Sequence, residues 1–136
     1  MKIAYCYNEE WERDFVAQRL VGQELVFIQG TVQDASEVPA DAEVLSVFVN
    51  SATTAEVLAR FPGLKLIATR STGYDHVDTA YAKEKGINVS YVPTYGENTV
   101  AEYAFALLLS LSRKTCDAYD QVRSTGSFSQ TELRGF

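Results

Sequence analysis

Two short stretches of this chain gather the residue types that hold small anions. The first is Arg70-Ser71-Thr72-Gly73-Tyr74-Asp75-His76-Val77-Asp78, directly after an apolar run. A turn of small residues lets backbone N–H groups converge on an anion, and Gly73 leaves room for close approach. A strand-to-helix turn that merely needs a glycine reads the same way. The second is Val92-Pro93-Thr94-Tyr95-Gly96-Glu97-Asn98-Thr99, which offers a tyrosine hydroxyl beside the start of a helix. Free N–H groups and the helix dipole favour anions there. A Pro/Gly-punctuated connection with an ordinary cap is the plainer reading.

Other chemistries lack their residues. With one histidine, and with Cys6 and Cys116 far apart, no metal site is expected. Both cysteines read as reduced thiols of a cytoplasmic protein. The glycines are Gly22, Gly30, Gly63, Gly73, Gly86, Gly96, Gly126 and Gly135. No two are separated by a single residue, so the G-x-G-x-x-G dinucleotide fingerprint does not occur.

Positioning these loops falls to alternating elements. Apolar runs at Lys2–Tyr7, Glu24–Ile28, Val44–Val49, Lys65–Thr69 and Ile87–Val92 are continuous rather than alternating, as in strands buried on both faces. Between them, Trp11, Phe15, Val16 and Leu20 mark the apolar face of one helix. Thr53-Thr54-Ala55-Glu56 is a capping-box pattern opening a helix that stops before Pro62-Gly63. Asp78 caps a third helix over Thr79–Lys85, which Gly86 ends. Strand–helix alternation predicts an α/β fold, a five-stranded parallel doubly wound sheet of flavodoxin-like order 2-1-3-4-5. The polar stretch Thr31–Glu43 is expected to be irregular.

The tail differs. Asn98–Lys114 reads as one long apolar C-terminal helix, with Thr99-Val100-Ala101-Glu102 as a second capping box. From Val100 to Leu111 it is apolar almost all round, which suits a helix sandwiched between two bodies. Thr115–Arg123 reads as a more polar helix and Ser124–Ser127 as a loop. The expected division is 1–98 as a flavodoxin-like domain and 99–136 as an interdomain or dimerisation helix and tail.

Composition sets the outer bounds. At 136 residues, 46% hydrophobic and 22% charged, the chain suits one ordinary globular domain. A net charge of -6 argues against nucleic acid, whose phosphates call for a basic face. Met1-Lys2 leads straight into a strand with no apolar leader, and Tyr103–Ser112 is too short to span a bilayer, so no membrane association is expected. A receiver domain would need a phosphoacceptor aspartate where Val49-Asn50-Ser51 stands. A flavodoxin would need a phosphate cradle where Asn8-Glu9-Glu10-Trp11-Glu12 would repel phosphate.

The two loops, with their flanks, carry a resemblance. Leu64-Lys65-Leu66-Ile67-Ala68-Thr69-Arg70-Ser71-Thr72-Gly73-Tyr74-Asp75-His76-Val77-Asp78 resembles the D-isomer-specific 2-hydroxyacid dehydrogenase family, particularly its D-lactate dehydrogenase-like members. Lys83-Glu84-Lys85-Gly86-Ile87, Val92-Pro93-Thr94-Tyr95, Asn98-Thr99-Val100-Ala101-Glu102-Tyr103 and the start of the chain extend the similarity. The resemblance implies a substrate-binding lobe acting on a small 2-hydroxy or 2-oxo acid. The backbone around Ser71, Thr72 and Gly73 would hold its carboxylate, and Tyr95 would line the pocket. Asn98, Thr99 and Val77 would meet NAD or NADP in the full-length enzyme, with none bound to this part alone. It further implies that the NAD-binding domain and the catalytic histidine, arginine and acidic partner lie outside this chain, and that helix 99–114 serves a homodimer. No catalytic residue is expected among these 136, and His76, inside the carboxylate loop, is no substitute. A stand-alone, non-catalytic ligand-binding or assembly module of the same fold is the alternative.

Overall fold

The β-branched and aromatic run KIAYCY forms β1 (Lys2–Tyr7), the strand next to the middle of the sheet. In the computed structural model, which describes residues 1–127, 129, 130 and 133, it pairs in parallel with β2 (Glu24–Gln29) on one side and β3 (Val44–Val47) on the other. β4 (Leu66–Thr69) and β5 (Asn88–Ser90) continue the sheet in parallel, giving the order β2-β1-β3-β4-β5. This is the expected order. The helices are α1 (Glu10–Arg19), α2 (Ala55–Leu58), α3 (Thr79–Glu84), α4 (Glu97–Ser112) and α5 (Thr115–Thr125). By contact, the chain divides into two compact units, Met1–Pro93 and Thr94–Phe136. No helix among the described residues is long and apolar enough to cross a membrane.

Strand period sorts the first unit into two faces. Ala4, Cys6, Leu45, Val47 and Ile67 join Val57 and Leu58 of α2, Phe61 and Ala82 of α3 in one buried cluster. On the other face, the rings of Tyr5 and Tyr7 each meet Phe27 edge-on at 6.0 Å. The stripe Trp11, Phe15 and Val16 lies on α1 with Leu20 at its C-cap, yet α1 buries no residue and Trp11 is 67% exposed. Period locates a helix's apolar face but does not say whether another element covers it.

The cap signals resolve unevenly. Asp78 caps α3 by accepting from the Tyr81 N–H, and Gly86 follows at φ +70, a left-handed stop that suits glycine. For α2 the cap is Thr54, not Thr53. The Thr54 hydroxyl accepts from the Val57 N–H at 3.4 Å, and the helix is a single turn that ends at Leu58, well short of Pro62-Gly63. The second capping box does not form. α4 starts at Glu97 behind Gly96 with no side-chain cap, so Thr99 already lies inside the first turn. α4 also stops at Ser112 rather than Lys114, because Lys114 takes a left-handed φ of 49 that turns the chain into α5. Arg60 organises the irregular stretch after β2, donating to Ala35 O at 2.6 Å and to Val32 O at 3.4 Å.

The two thiols sit in opposite surroundings. Cys6 is buried, and that burial pushes its pKa up to about 11, against the opposing pull of Arg70 and a Ser51 hydrogen bond. Cys116 is exposed on α5. At pH 8 only about one Cys6 in a thousand is ionised, and thiolate is the species that alkylates. Iodoacetamide should therefore label Cys116 alone in the folded protein and both cysteines in urea, as read by mass spectrometry. Equal labelling rates in the folded state would contradict this placement.

Candidate functional site

β4 delivers the first loop to the carboxyl edge of the sheet, where open α/β folds bind ligands. The Arg70 N–H still bonds Val47 O at 3.0 Å, and the Arg70 guanidinium lies 4.3 Å from the Tyr5 ring centre. Ser71 then turns inward. It is 1% exposed, and its hydroxyl donates to Gly73 O at 2.7 Å. Its side chain thus shapes the loop rather than facing solvent. Thr72 and Gly73 are exposed, and neither backbone N–H has an acceptor among the described residues. Two adjacent uncommitted donors on an ordered turn can donate to a carboxylate.

Gly73 has no left-handed φ, and a Cβ there would meet only Asp75 Oδ2 at an ordinary 3.5 Å. Nothing among the described residues requires glycine at this position, which leaves space beside the loop.

Beyond the turn, the Val77 N–H bonds Tyr74 O at 3.0 Å, and the Val77 side chain is buried in the core cluster. Its side chain anchors the loop instead of facing a ligand. His76 is half-buried, and its Nε2 has no hydrogen-bond partner among the described residues. Burial lowers its pKa from the usual histidine value, with Asp75 pulling the other way. Its burial thus favours the neutral ring.

The second unit holds Tyr95, Asn98 and Thr99. Tyr95 is 65% exposed, and Asn98 and Thr99 are exposed in the first turn of α4, where no side chain caps the helix. The first-turn N–H groups there remain open to an anion. Among the described residues no group of histidine, cysteine and carboxylate side chains could hold a metal ion.

Two residues of consequence escaped the sequence reading. Thr53 looked like a helix cap but is fully buried, and both its N–H and its hydroxyl donate to His76 O, at 2.9 and 3.0 Å. Gln33 looked like one polar residue in an irregular stretch, yet its amide bonds the backbone on both sides of Ser51. No local pattern marks either, because each acts on a segment remote in sequence.

The fold and site define a doubly wound α/β domain whose loop at the carboxyl end of the fourth strand presents two uncommitted N–H groups. Residues 10–132 match the D-isomer specific 2-hydroxyacid dehydrogenase family, catalytic domain, and the chain belongs to that family. It is 40% identical over 117 residues to a 2-hydroxyacid dehydrogenase homolog of Zymomonas mobilis, covering 84% of this chain and 35% of that protein. It is 32% identical to the D-lactate dehydrogenase of Escherichia coli, covering 100% of this chain and 43% of the relative. Among solved structures, D-lactate dehydrogenase from Aquifex aeolicus, complexed with NAD and lactic acid, superimposes with a TM-score of 0.88 at 32% identity. That match covers 98% of this chain and 40% of the other. The chain therefore spans less than half the length of these relatives.

Proposed function

We propose that this chain is the substrate-binding lobe of an NAD- or NADP-dependent D-2-hydroxyacid dehydrogenase and that the Ser71–Gly73 loop binds the substrate carboxylate. The observation that carries the reading is the pair of uncommitted N–H groups at Thr72 and Gly73, beside an open Cβ position, in a chain of this family. The Aquifex relative's complex with NAD and lactic acid supports it. Ser71 holds the loop in shape, and Thr72 and Gly73 donate to the carboxylate. Fixing the acid in this way orients its C2 carbon for reaction. Tyr95 donates a hydrogen bond to the substrate. The exposed Asn98 and Thr99, with the open first turn of α4, fit contacts to the cofactor, whereas the buried Val77 fits a support role only. A nicotinamide cofactor supplies or accepts the hydride when bound. The same reading gives helix 99–114 a homodimer role, in a cytoplasmic enzyme.

The test is a pyruvate titration followed by backbone amide shifts. An open half-site leaves the ligand largely hydrated, so the expected Kd is roughly millimolar. Shifts should concentrate at Thr72 and Gly73, with Tyr95 also responding. Gly73→Ala should fold with stability within about 0.5 kcal/mol of the parent, since the methyl has room within the chain. It should weaken pyruvate by at least about tenfold by standing where the carboxylate sits. Unperturbed loop amides, or full affinity in Gly73→Ala, would overturn the assignment.

A further inference from the structure

The carboxylate loop does not hold itself. Three bonds tie the segment after β2 to the connection after β3. Gln33 Nε2 donates to Asn50 O at 3.1 Å, Gln33 Oε1 accepts from the Ala52 N–H at 3.0 Å, and the Val32 N–H reaches the buried Ser51 Oγ at 3.4 Å. Three more tie that connection to the loop after β4. The Thr53 N–H and hydroxyl both donate to His76 O, at 2.9 and 3.0 Å, and Thr53 O accepts from the Asp78 N–H at 3.0 Å. The bridge Thr53↔Val77 marks the same junction. The far end is pinned as well, by the Arg60 bonds to Val32 O and Ala35 O.

These bonds run along the carboxyl edge of the sheet, from the segment after β2, past β1, to the connections after β3 and β4, and that edge presents ligand loops in such sheets. They stand where no regular ladder exists, so the geometry of the loops depends on side chains. A carboxamide is needed at 33 because one terminus must both donate and accept. A carboxylate there would face Asn50 O with no proton to offer.

We propose that Gln33 and Thr53 are positioning residues for the substrate carboxylate. Through the 50–53 connection they fix His76 and Val77, and with them the Thr72 and Gly73 donors. The inference rests on the carboxylate role proposed above for the Ser71–Gly73 loop. Neither residue touches the substrate, and both act through backbone that the loop shares.

The experiment compares Gln33→Ala, Gln33→Glu, Thr53→Val and the double variant Gln33→Ala/Thr53→Val with an exposed control on α1, Gln18→Ala. Thr53→Val keeps the shape and the backbone bonds and removes only the hydroxyl. Pyruvate affinity is read from amide shifts, and hydrogen exchange of the Val77 and Asp78 amides is read without ligand. Each single variant should weaken pyruvate by about threefold to tenfold, the worth of a lost hydrogen bond. The double variant should lose less than the product, because both residues lie on one line of bonds. Exchange at Val77 and Asp78 should quicken by a similar factor, and Gln18→Ala should change neither. Parental affinity and exchange in folded Gln33→Glu and Thr53→Val would overturn the proposal. If pyruvate fails to bind the parent protein, the carboxylate reading falls, while exchange at Val77 and Asp78 still decides whether Gln33 and Thr53 hold the loop. Should Gln33→Ala not fold, the Glu and Val variants give the same decision.

Discussion

Purified and supplied with pyruvate and either reduced nicotinamide cofactor, this chain alone should oxidise no cofactor above the blank. Hydride transfer needs a cofactor held against the acid and a group to exchange a proton with the carbonyl oxygen. The 136 residues contain no G-x-G-x-x-G, and their one histidine is His76, whose Nε2 is buried and whose carbonyl is tied to Thr53. A loop that positions a carboxylate supplies only part of a catalytic site. The expected effect is therefore the whole activity, not a fraction of it. A spectrophotometric assay at 340 nm (roughly the absorbance maximum of reduced nicotinamide) is the measurement, with a Gly73→Ala control to expose contaminating host dehydrogenase. Turnover that depends on pyruvate and disappears in Gly73→Ala would show that the chain is catalytically competent, and the lobe reading would fall.

The second large effect concerns association. On α4, Val100, Tyr103, Phe105, Leu107, Leu108, Leu109 and Leu111 are all exposed, and the helix has no buried residue. α5 follows it through a tight turn yet leaves these side chains uncovered. Each large one withdrawn from water contributes roughly 1.5–3 kcal/mol. An apolar surface of this kind recruits a partner, and a second copy offers the same stripe across a two-fold axis. Sedimentation equilibrium at micromolar concentration should give twice the chain mass of 15.1 kDa. Symmetry places Leu108→Glu in the interface twice, so it should weaken the dimer by at least about a hundredfold. A monomeric mass that Leu108→Glu leaves unchanged would mean that this helix is not a dimer face. The expected tail ends in residues 131–136, of which only Leu133 is among the described residues.

Much of this protein is written locally. The continuous apolar run Lys2–Tyr7 marks β1 at both ends, and five such runs in mostly helical alternation leave a parallel sheet with few possible orders. Asp78 and Gly86 carry their own signals, since a cap and a left-handed stop are decided within a few residues. The place of the Ser71–Gly73 loop directly after a strand was legible, because the apolar run and the small residues that follow it are adjacent in sequence. Tertiary structure decided the rest. Thr53 and Thr54 offer the same hydroxyl, and only the approach of His76 O settles that Thr53 is drawn away and Thr54 caps. Ser71 and Thr72 are equally plausible ligand contacts in sequence, but the turn after β4 buries Ser71, whose hydroxyl donates to Gly73 O, and leaves Thr72 in solvent. Trp11 and Phe15 have the right period for burial, yet period carries no information about what lies opposite. Gln33 has no local signature at all, because its two partners arrive from the far side of a strand. Short-range preferences set the elements; what each side chain finally touches is settled by backbone groups that only folding brings near.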